Sequence, residues 1–449
     1  MNVDLVEWGT LGPSEARFLS DVAPNFDKGA QRIADELASS GKLEILQLRN
    51  GIEIRATSWV GRITLGDLTI TVRPKINGAP LLNLLRYAYS LRNLQTFTAS
   101  GFDASRETFQ DLIIEQLANE AAELLSRGLH RDYLQFNADL ASPTGRIDFE
   151  EVAHALTIAK SSVACTYYNR SEAVLLNRVL LAGLRLAARV GTDSRLTARV
   201  FRLAQILEAG VPTIQLTTVD LDNAHRLIDR RSTAYSSALT LIELLVNGMG
   251  ISIVEAGDPV QMPGFLFDMN RFFQSLISRL LHEELPEFSI QDERHLKNLF
   301  EYAAASNPKH RRAVVLRPDF AVLKQRKVVE FLDAKYRDLW ETKLPPDMLY
   351  QLAIYALAKD AGVPRSTILY PTLAQEAADQ VLWFKDPVLG RVRAEVVLRP
   401  VNLLELERVV RPRQGALAAW HRREYARALV FGNKSVRQIR SVSSIATHA

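Results

Sequence analysis

The sequence predicts a multi-domain α/β protein. Three observations lead there: a strand-rich stretch over residues 43–76, a helical middle third, and a hairpin pattern set between amphipathic helices in 257–400. With 449 residues, 47% of them hydrophobic, the chain has room for two to four domains with sizeable cores. The expected division is a β-rich module at 1–100, a mainly helical domain at 101–256, a compact α/β domain at 257–400 and a basic C-terminal extension at 401–449.

Within the first segment, 43–48, 52–56, 60–65 and 68–72 read as short strands, with Asn50-Gly51 and Gly66-Asp67 supplying turn residues. Helical periodicity then takes over at 81–92 and 109–127, where Ile113, Leu117, Ala121 and Leu124 share one face. Further helices are expected at 173–190, 197–209 and 223–246, with short strands near 134–136 and 146–149. In the third segment Met269, Phe272, Phe273, Leu276, Ile277, Leu280 and Leu281 follow the spacing of a helix with a core face. Two β-branched, apolar runs, 313–323 and 328–332, flank the polar Lys324-Gln325-Arg326-Lys327 and read as a β-hairpin. A helix over 347–359 comes next, with Asp347 as its cap, and then strands at 366–371 and 380–384.

The hairpin carries the chemistry. Arg317-Pro318-Asp319-Phe320 lies on one run and Asp333-Ala334-Lys335 ends the other. Asp319 and Asp333 are symmetric about Arg326, so a tight turn centred there sets them opposite each other, at a typical Cβ separation of roughly 5 Å. Lys335 stands two residues beyond Asp333 and shares its face. Two carboxylates and an ammonium suit phosphodiester hydrolysis. A magnesium ion between the carboxylates neutralises phosphate and lowers the pKa of water, while lysine holds that water or offsets developing charge. Asp-x-Lys alone is more often a solvated strand face; the preceding Pro-Asp, the symmetry and the apolar flanks favour the site. Gln351 and Tyr355, one helical turn apart, are placed to meet a phosphate or a water there, against the plainer reading of a half-buried tyrosine on a helix flank.

Composition narrows the alternatives. The single Cys165 excludes an internal disulfide and a cysteine-rich zinc site, and the eight histidines show no paired ligand spacing. No uninterrupted apolar run is long enough to span a membrane and no secretory signal pattern appears, so a cytoplasmic protein is expected. No Gly-x4-Gly-Lys-Ser/Thr occurs; Ser40-Gly41-Lys42-Leu43 lacks its first glycine and its hydroxyl residue, so no NTPase is expected within the chain. Residues 401–449 hold nine Lys or Arg against three acids, a net +6 in a chain of +4. Arg411, Arg413, Arg422, Arg423 and Arg427 there are candidate phosphate contacts to double-stranded DNA, unless the segment is simply a solvated helix or a frayed end.

Several motifs occur together in order: Phe265-Leu266-Phe267-Asp268-Met269-Asn270, Arg317-Pro318-Asp319, Asp333-Ala334-Lys335-Tyr336 and Met348-Leu349-Tyr350-Gln351. With Trp59-Val60-Gly61-Arg62-Ile63, Arg73-Pro74-Lys75-Ile76, Thr144-Gly145-Arg146-Ile147 and Asn177-Arg178, the chain resembles the McrC family over nearly all of 40–385. McrC is the nuclease subunit of McrBC-type type IV, 5-methylcytosine-specific restriction systems, and its nuclease half is of the PD-(D/E)xK superfamily. The resemblance implies a restriction-endonuclease-like domain with Mg2+ as cofactor (Mn2+ as a possible substitute), ligated by Asp319, Asp333 and the Ala334 carbonyl. It implies Lys335 as the water-positioning group and double-stranded DNA as substrate. It also implies an McrB-like AAA+ GTPase hexamer as partner, stimulated by the N-terminal module, where Arg55, Arg62, Arg73 and Lys75 are candidate contacts. No membrane is implied. The sequence departs from the pattern at Gln274, where the family tends to carry a glutamate on the helix before the hairpin. Two other readings stay open: a catalytically weakened interaction subunit that mainly activates its partner, and a standalone RecB-like repair nuclease.

Overall fold

The computed structural model describes residues 1–16, 19, 28–91, 108–151, 162–249, 264–297, 299–359, 364–411 and 415–432. The chain forms two compact units. One comprises Met1–Val60, Thr64–Leu91 and Asp268–Ala449; the other comprises Gly61–Ile63 and Arg92–Phe267. The N-terminal segment and the C-terminal half, set as separate domains in the sequence reading, therefore share one unit.

In that unit the centre is a six-stranded mixed sheet. Its strands run in the order Ser289–Asp292, Phe320–Lys324, Lys327–Ala334, Arg365–Thr372, Val392–Asn402, Gln380–Lys385. The first pairs are antiparallel, the middle ones parallel, and Gln380–Lys385 returns antiparallel at the far edge. Parallel neighbours need a crossover, supplied by the helix Pro346–Leu357 between Lys327–Ala334 and Arg365–Thr372. That helix opens with proline at its first turn, where a missing N–H costs nothing. Its Leu352, Ala353 and Tyr355 pack with Phe331, Ile368, Tyr370 and Val396 into one buried cluster.

The hairpin forms for a reason that symmetry about Arg326 does not reveal. Its turn is two residues, Gln325 and Arg326, both with positive φ (50° and 67°), as a type I′ turn demands. Next to the turn Leu323 faces Val328, but farther out Val322 faces Glu330 and Phe320 faces Leu332. The extra residue is a β-bulge, and it restores the register that the off-centre turn would have lost. The expected strand 313–323 shortens to Phe320–Lys324, because Pro318 has no N–H to give a ladder; only an isolated bridge, Leu316 with Leu296, precedes it.

The N-terminal part of the same unit contains Asn2–Val6, parallel to Leu68–Arg73, and an antiparallel sheet of Thr10–Leu11, Gly51–Ala56 and Leu43–Leu48. The helix Gly78–Ala88 packs on Met269–Glu284, the amphipathic helix before the hairpin. Two helices, Leu403–Val410 and Ala416–Phe431, make up the described part of the C-terminal extension.

The second unit joins helices Phe109–Arg127, Leu175–Val190, Ser194–Glu208, Thr218–Arg226 and Ser236–Gly248 to a three-stranded sheet of Asp132–Leu140, Val163–Ser171 and Arg146–Ile147. The single helix expected over 223–246 is two. The Asp229 carboxylate accepts the N–H groups of Arg231 and Ser232 at 2.9 Å and the Ser232 hydroxyl at 2.7 Å, a local turn that outcompetes helical bonds. Gly61, at φ 140°, approaches the Phe265 backbone so closely that an added Cβ would lie 2.1 Å from its carbonyl oxygen.

Candidate active site

The parallel strand Lys327–Ala334 delivers Asp333 to its C-terminal end, the usual place for a ligand site on such a sheet. Asp333 is buried at 2% exposure, and Lys335, one residue past the strand, places its ammonium 3.3 Å from Asp333 Oδ2. Across the hairpin, one register step beyond Phe320 and Leu332, stands Asp319. Its Oδ2 accepts the Ala334 N–H at 2.7 Å, and its Oδ1 receives the Gln274 amide at 3.3 Å. From the crossover helix, Gln351 Nε2 donates to the buried Tyr355 hydroxyl at 2.6 Å.

The electrostatics follow from this crowding. Burial first, and the adjacent Asp333 charge second, push the Asp319 carboxyl up to about 7, although Lys335 and the Ala334 N–H work the other way. For Lys335 burial favours the neutral amine, but the Asp333 and Asp319 charges outweigh it and the ammonium is held more firmly than usual. Tyr355 is raised by burial; the Gln351 hydrogen bond opposes the shift, and the Asp333 and Asp319 charges add to it. Two carboxylates are thus held together against their repulsion with only one ammonium as counterion. Such a hard-oxygen pair fits Mg2+, which takes one or two carboxylates and keeps several waters. Gln274 occupies the place beside Asp319 where a third acid would complete a richer set. Among the described residues no group of three His, Cys, Asp or Glu side chains converges on a metal position.

An open cleft of about 820 Å³ runs along the helix Met269–Glu284, lined by Asn270, Arg271, Asp292 and Gln274 among others, the last of which donates to Asp319. A larger cavity of about 940 Å³, lined by Asp379, Val397, Arg399 and Tyr425, contains none of these residues.

The structure brings Asp319, Asp333, Ala334, Lys335, Gln351 and Tyr355 to one end of the hairpin, with Gln274 beside them. Among the described C-terminal arginines, three are paired with carboxylates. Arg411 binds Glu407 at 2.8 Å, Arg422 binds Glu284 at 2.8 Å and Arg427 binds Glu287 at 2.6 Å, each neutralised by a carboxylate the charge count could not pair. Arg423 acts on Glu287 through its charge, and Arg413 lies outside the described residues. In the N-terminal module Arg55 bridges Glu53 at 2.7 Å and Arg73 reaches Asp4 at 3.6 Å, while Arg62 and Lys75 lie on or beside neighbouring strands. Sequence reasoning gave no role to Glu7, Trp8, Asn270 or Tyr336, which meet just behind Lys335. Glu7 and Trp8 lie more than 300 positions from Tyr336 and carry no local signal.

Known proteins resemble the chain at the level of family and fold. A family described as McrBC 5-methylcytosine restriction system component matches residues 54–371. No curated protein matches the chain. A half-complex from the tetradecameric assembly of Thermococcus gammatolerans McrB AAA+ hexamers with bound McrC contains a chain similar to this one. The TM-score is 0.61 at 19% identity, over 94% of this chain and 99% of that one. The cryo-EM structure of the Thermococcus gammatolerans McrBC complex gives a TM-score of 0.45 at 18% identity, over 64% of this chain and 88% of that one. At such identity the first likeness speaks for the fold alone. No helix among the described residues is long and apolar enough to cross a membrane.

Proposed function

The chain belongs to the McrBC family of 5-methylcytosine restriction system components, and from that premise we propose that it is the McrC-like, Mg2+-dependent DNA endonuclease subunit of such a system. The observation that carries this reading is the convergence of Asp319, Asp333 and Lys335 at the end of a buried parallel strand, with Asp319 raised by burial and by its neighbour. Families of restriction components contain both cutters and motors. A carboxylate–lysine centre and the lack of a phosphate-binding loop in the sequence fit the cutter.

Asp319, Asp333 and the Ala334 carbonyl would hold the cation, which when bound supplies charge neutralisation and an acidified water. Asp319 is oriented for this by the Ala334 N–H and the Gln274 amide. Lys335, tethered to Asp333, holds the attacking water and offsets the charge that grows on the phosphate oxygens. The Gln351–Tyr355 pair fixes the outer wall, leaving the Gln351 carbonyl oxygen to orient water. The cleft along Met269–Glu284 is the approach for the phosphodiester backbone. The fold likeness to a chain from McrB AAA+ hexamers with bound McrC motivates a separate AAA+ GTPase as partner.

The test is cleavage of methylated and unmethylated plasmid by the full chain with its co-encoded AAA+ protein, GTP and Mg2+. We expect cutting of the methylated substrate that EDTA abolishes and Mn2+ restores. Cutting that persists in EDTA, or none under any divalent cation, would overturn the reading.

A further inference from the structure

We propose that Glu7, Trp8 and Asn270 clamp Tyr336 and thereby position Lys335, so that the first strand and the turn after it serve the catalytic centre directly. This rests on the nuclease reading of that centre. At Lys335 the chain leaves the sheet. Ala334 is the last ladder residue, and Lys335 keeps only one sheet hydrogen bond, from its N–H to the Leu369 carbonyl at 3.0 Å. Its ammonium must nonetheless stand 3.3 Å from Asp333. The hold on Tyr336, the next residue, therefore decides where Lys335 points.

All three polar groups of Tyr336 are taken. Its N–H donates to Asn270 Oδ1 at 3.1 Å, its carbonyl accepts the Trp8 indole N–H at 2.8 Å, and its hydroxyl donates to Glu7 Oε1 at 3.0 Å. The ring is buried at 2% exposure, edge-on to Phe273 at 6.0 Å. Each partner is itself fixed. Asn270 donates to Ser58 Oγ at 2.6 Å, Glu7 accepts the Lys75 N–H at 2.9 Å, and the Trp8 backbone N–H donates to the Thr57 carbonyl at 3.1 Å.

Two features show that the arrangement is built rather than incidental. Trp8 sits at φ 61°, a left-handed conformation that a bulky residue adopts only when its surroundings insist. Glu7 is 2% exposed, and its Oε2 finds no partner among the described residues. A buried carboxyl kept half-satisfied costs stability, and here it costs it on behalf of the residue beside Lys335. With the packing of Gly78–Ala88 on Met269–Glu284, these contacts join residues far apart in sequence within one compact unit. They also mean that a displacement of the first strand reaches Lys335 through a single residue.

The test uses the full chain carrying Tyr336→Phe, which removes only the hydroxyl, or Trp8→Phe, which keeps a ring and removes the N–H donor. Hydrogen exchange of the peptide spanning 333–339 is measured beside the Mg2+-dependent kcat and KM for plasmid. We expect exchange in that peptide to quicken about fivefold or more while peptides of the strand Phe320–Lys324 stay unchanged. We expect kcat to fall about tenfold with KM unaltered. Unchanged exchange at 333–339, or a loss expressed in KM alone, would overturn the clamp. Should the wild-type chain fail to cut DNA, the nuclease reading falls, and the exchange measurement still decides whether Glu7, Trp8 and Asn270 hold this segment.

Discussion

Asp319→Asn is expected to stabilise the protein in the absence of metal and to remove its response to Mg2+. In the folded chain the Asp319 carboxyl is raised from 3.8 to about 7, by burial first and by Asp333 second. A gap of about three units at roughly 1.4 kcal/mol each sets a ceiling near 4 kcal/mol on the cost of ionising it, and partial solvent access brings the expected gain down to about 1–2 kcal/mol. The sign follows from the direction of the shift. An acid raised on folding costs nothing below its unfolded pKa, and stability is lost as pH rises through the folded value. The benefit of asparagine should therefore be small near pH 4 and full near pH 8. Asparagine keeps an oxygen for the Ala334 N–H, so the hairpin register survives the change. Thermal unfolding in EDTA at both pH values measures the first effect, and repetition with Mg2+ measures the second, since a ligand of the folded state raises the midpoint. A variant no more stable than wild type near pH 8 would refute the electrostatic reasoning, as would a gain equally large near pH 4.

Three further outcomes are expected. Glu7, raised by burial from 4.5 to about 7, should make folding less favourable as pH climbs through that interval by about 3 kcal/mol; Glu7→Gln should flatten this dependence in denaturant titrations. Gln274→Glu adds a carboxylate beside Asp319, so it should lower the metal-free melting temperature and enlarge the rise produced by Mn2+; ion counting by electron paramagnetic resonance reports whether a second cation enters. Gly61→Ala should destabilise by about 2–4 kcal/mol, because the backbone lies at φ 140° and the new Cβ would meet the Phe265 carbonyl oxygen at 2.1 Å; equilibrium unfolding in urea measures it.

How much of the fold and site could be read from the sequence depends on how local each signal is. The hairpin was legible because alternating apolar residues and a polar tetrad lie within a few positions of each other. Its register was reached by a faulty route, since neither the two-residue turn nor the bulge that corrects it has a side-chain signature here; Gln325-Arg326 is an unusual pair for positive φ. Gln274 was legible only against a resemblance. Asn2–Val6 went unread because it finds its parallel neighbour, Leu68–Arg73, some 67 positions along the chain. The pairing of the basic extension was illegible for the same reason: Arg422 and Arg427 meet Glu284 and Glu287, some 140 residues away. Net charge counts ions but cannot say which are already paired.

The central claim is that Asp333 and its neighbours cut DNA. The most direct measurement compares wild type with Asp333→Ala in Mg2+-dependent plasmid cleavage, while the nucleotide hydrolysis of the AAA+ partner is followed in the same tube. Cleavage is predicted to fall by about a thousandfold or more while partner hydrolysis and complex formation persist. Equal cleavage by the two chains would contradict the claim, and absence of cleavage in both, with hydrolysis still stimulated, would identify a subunit that serves its partner alone.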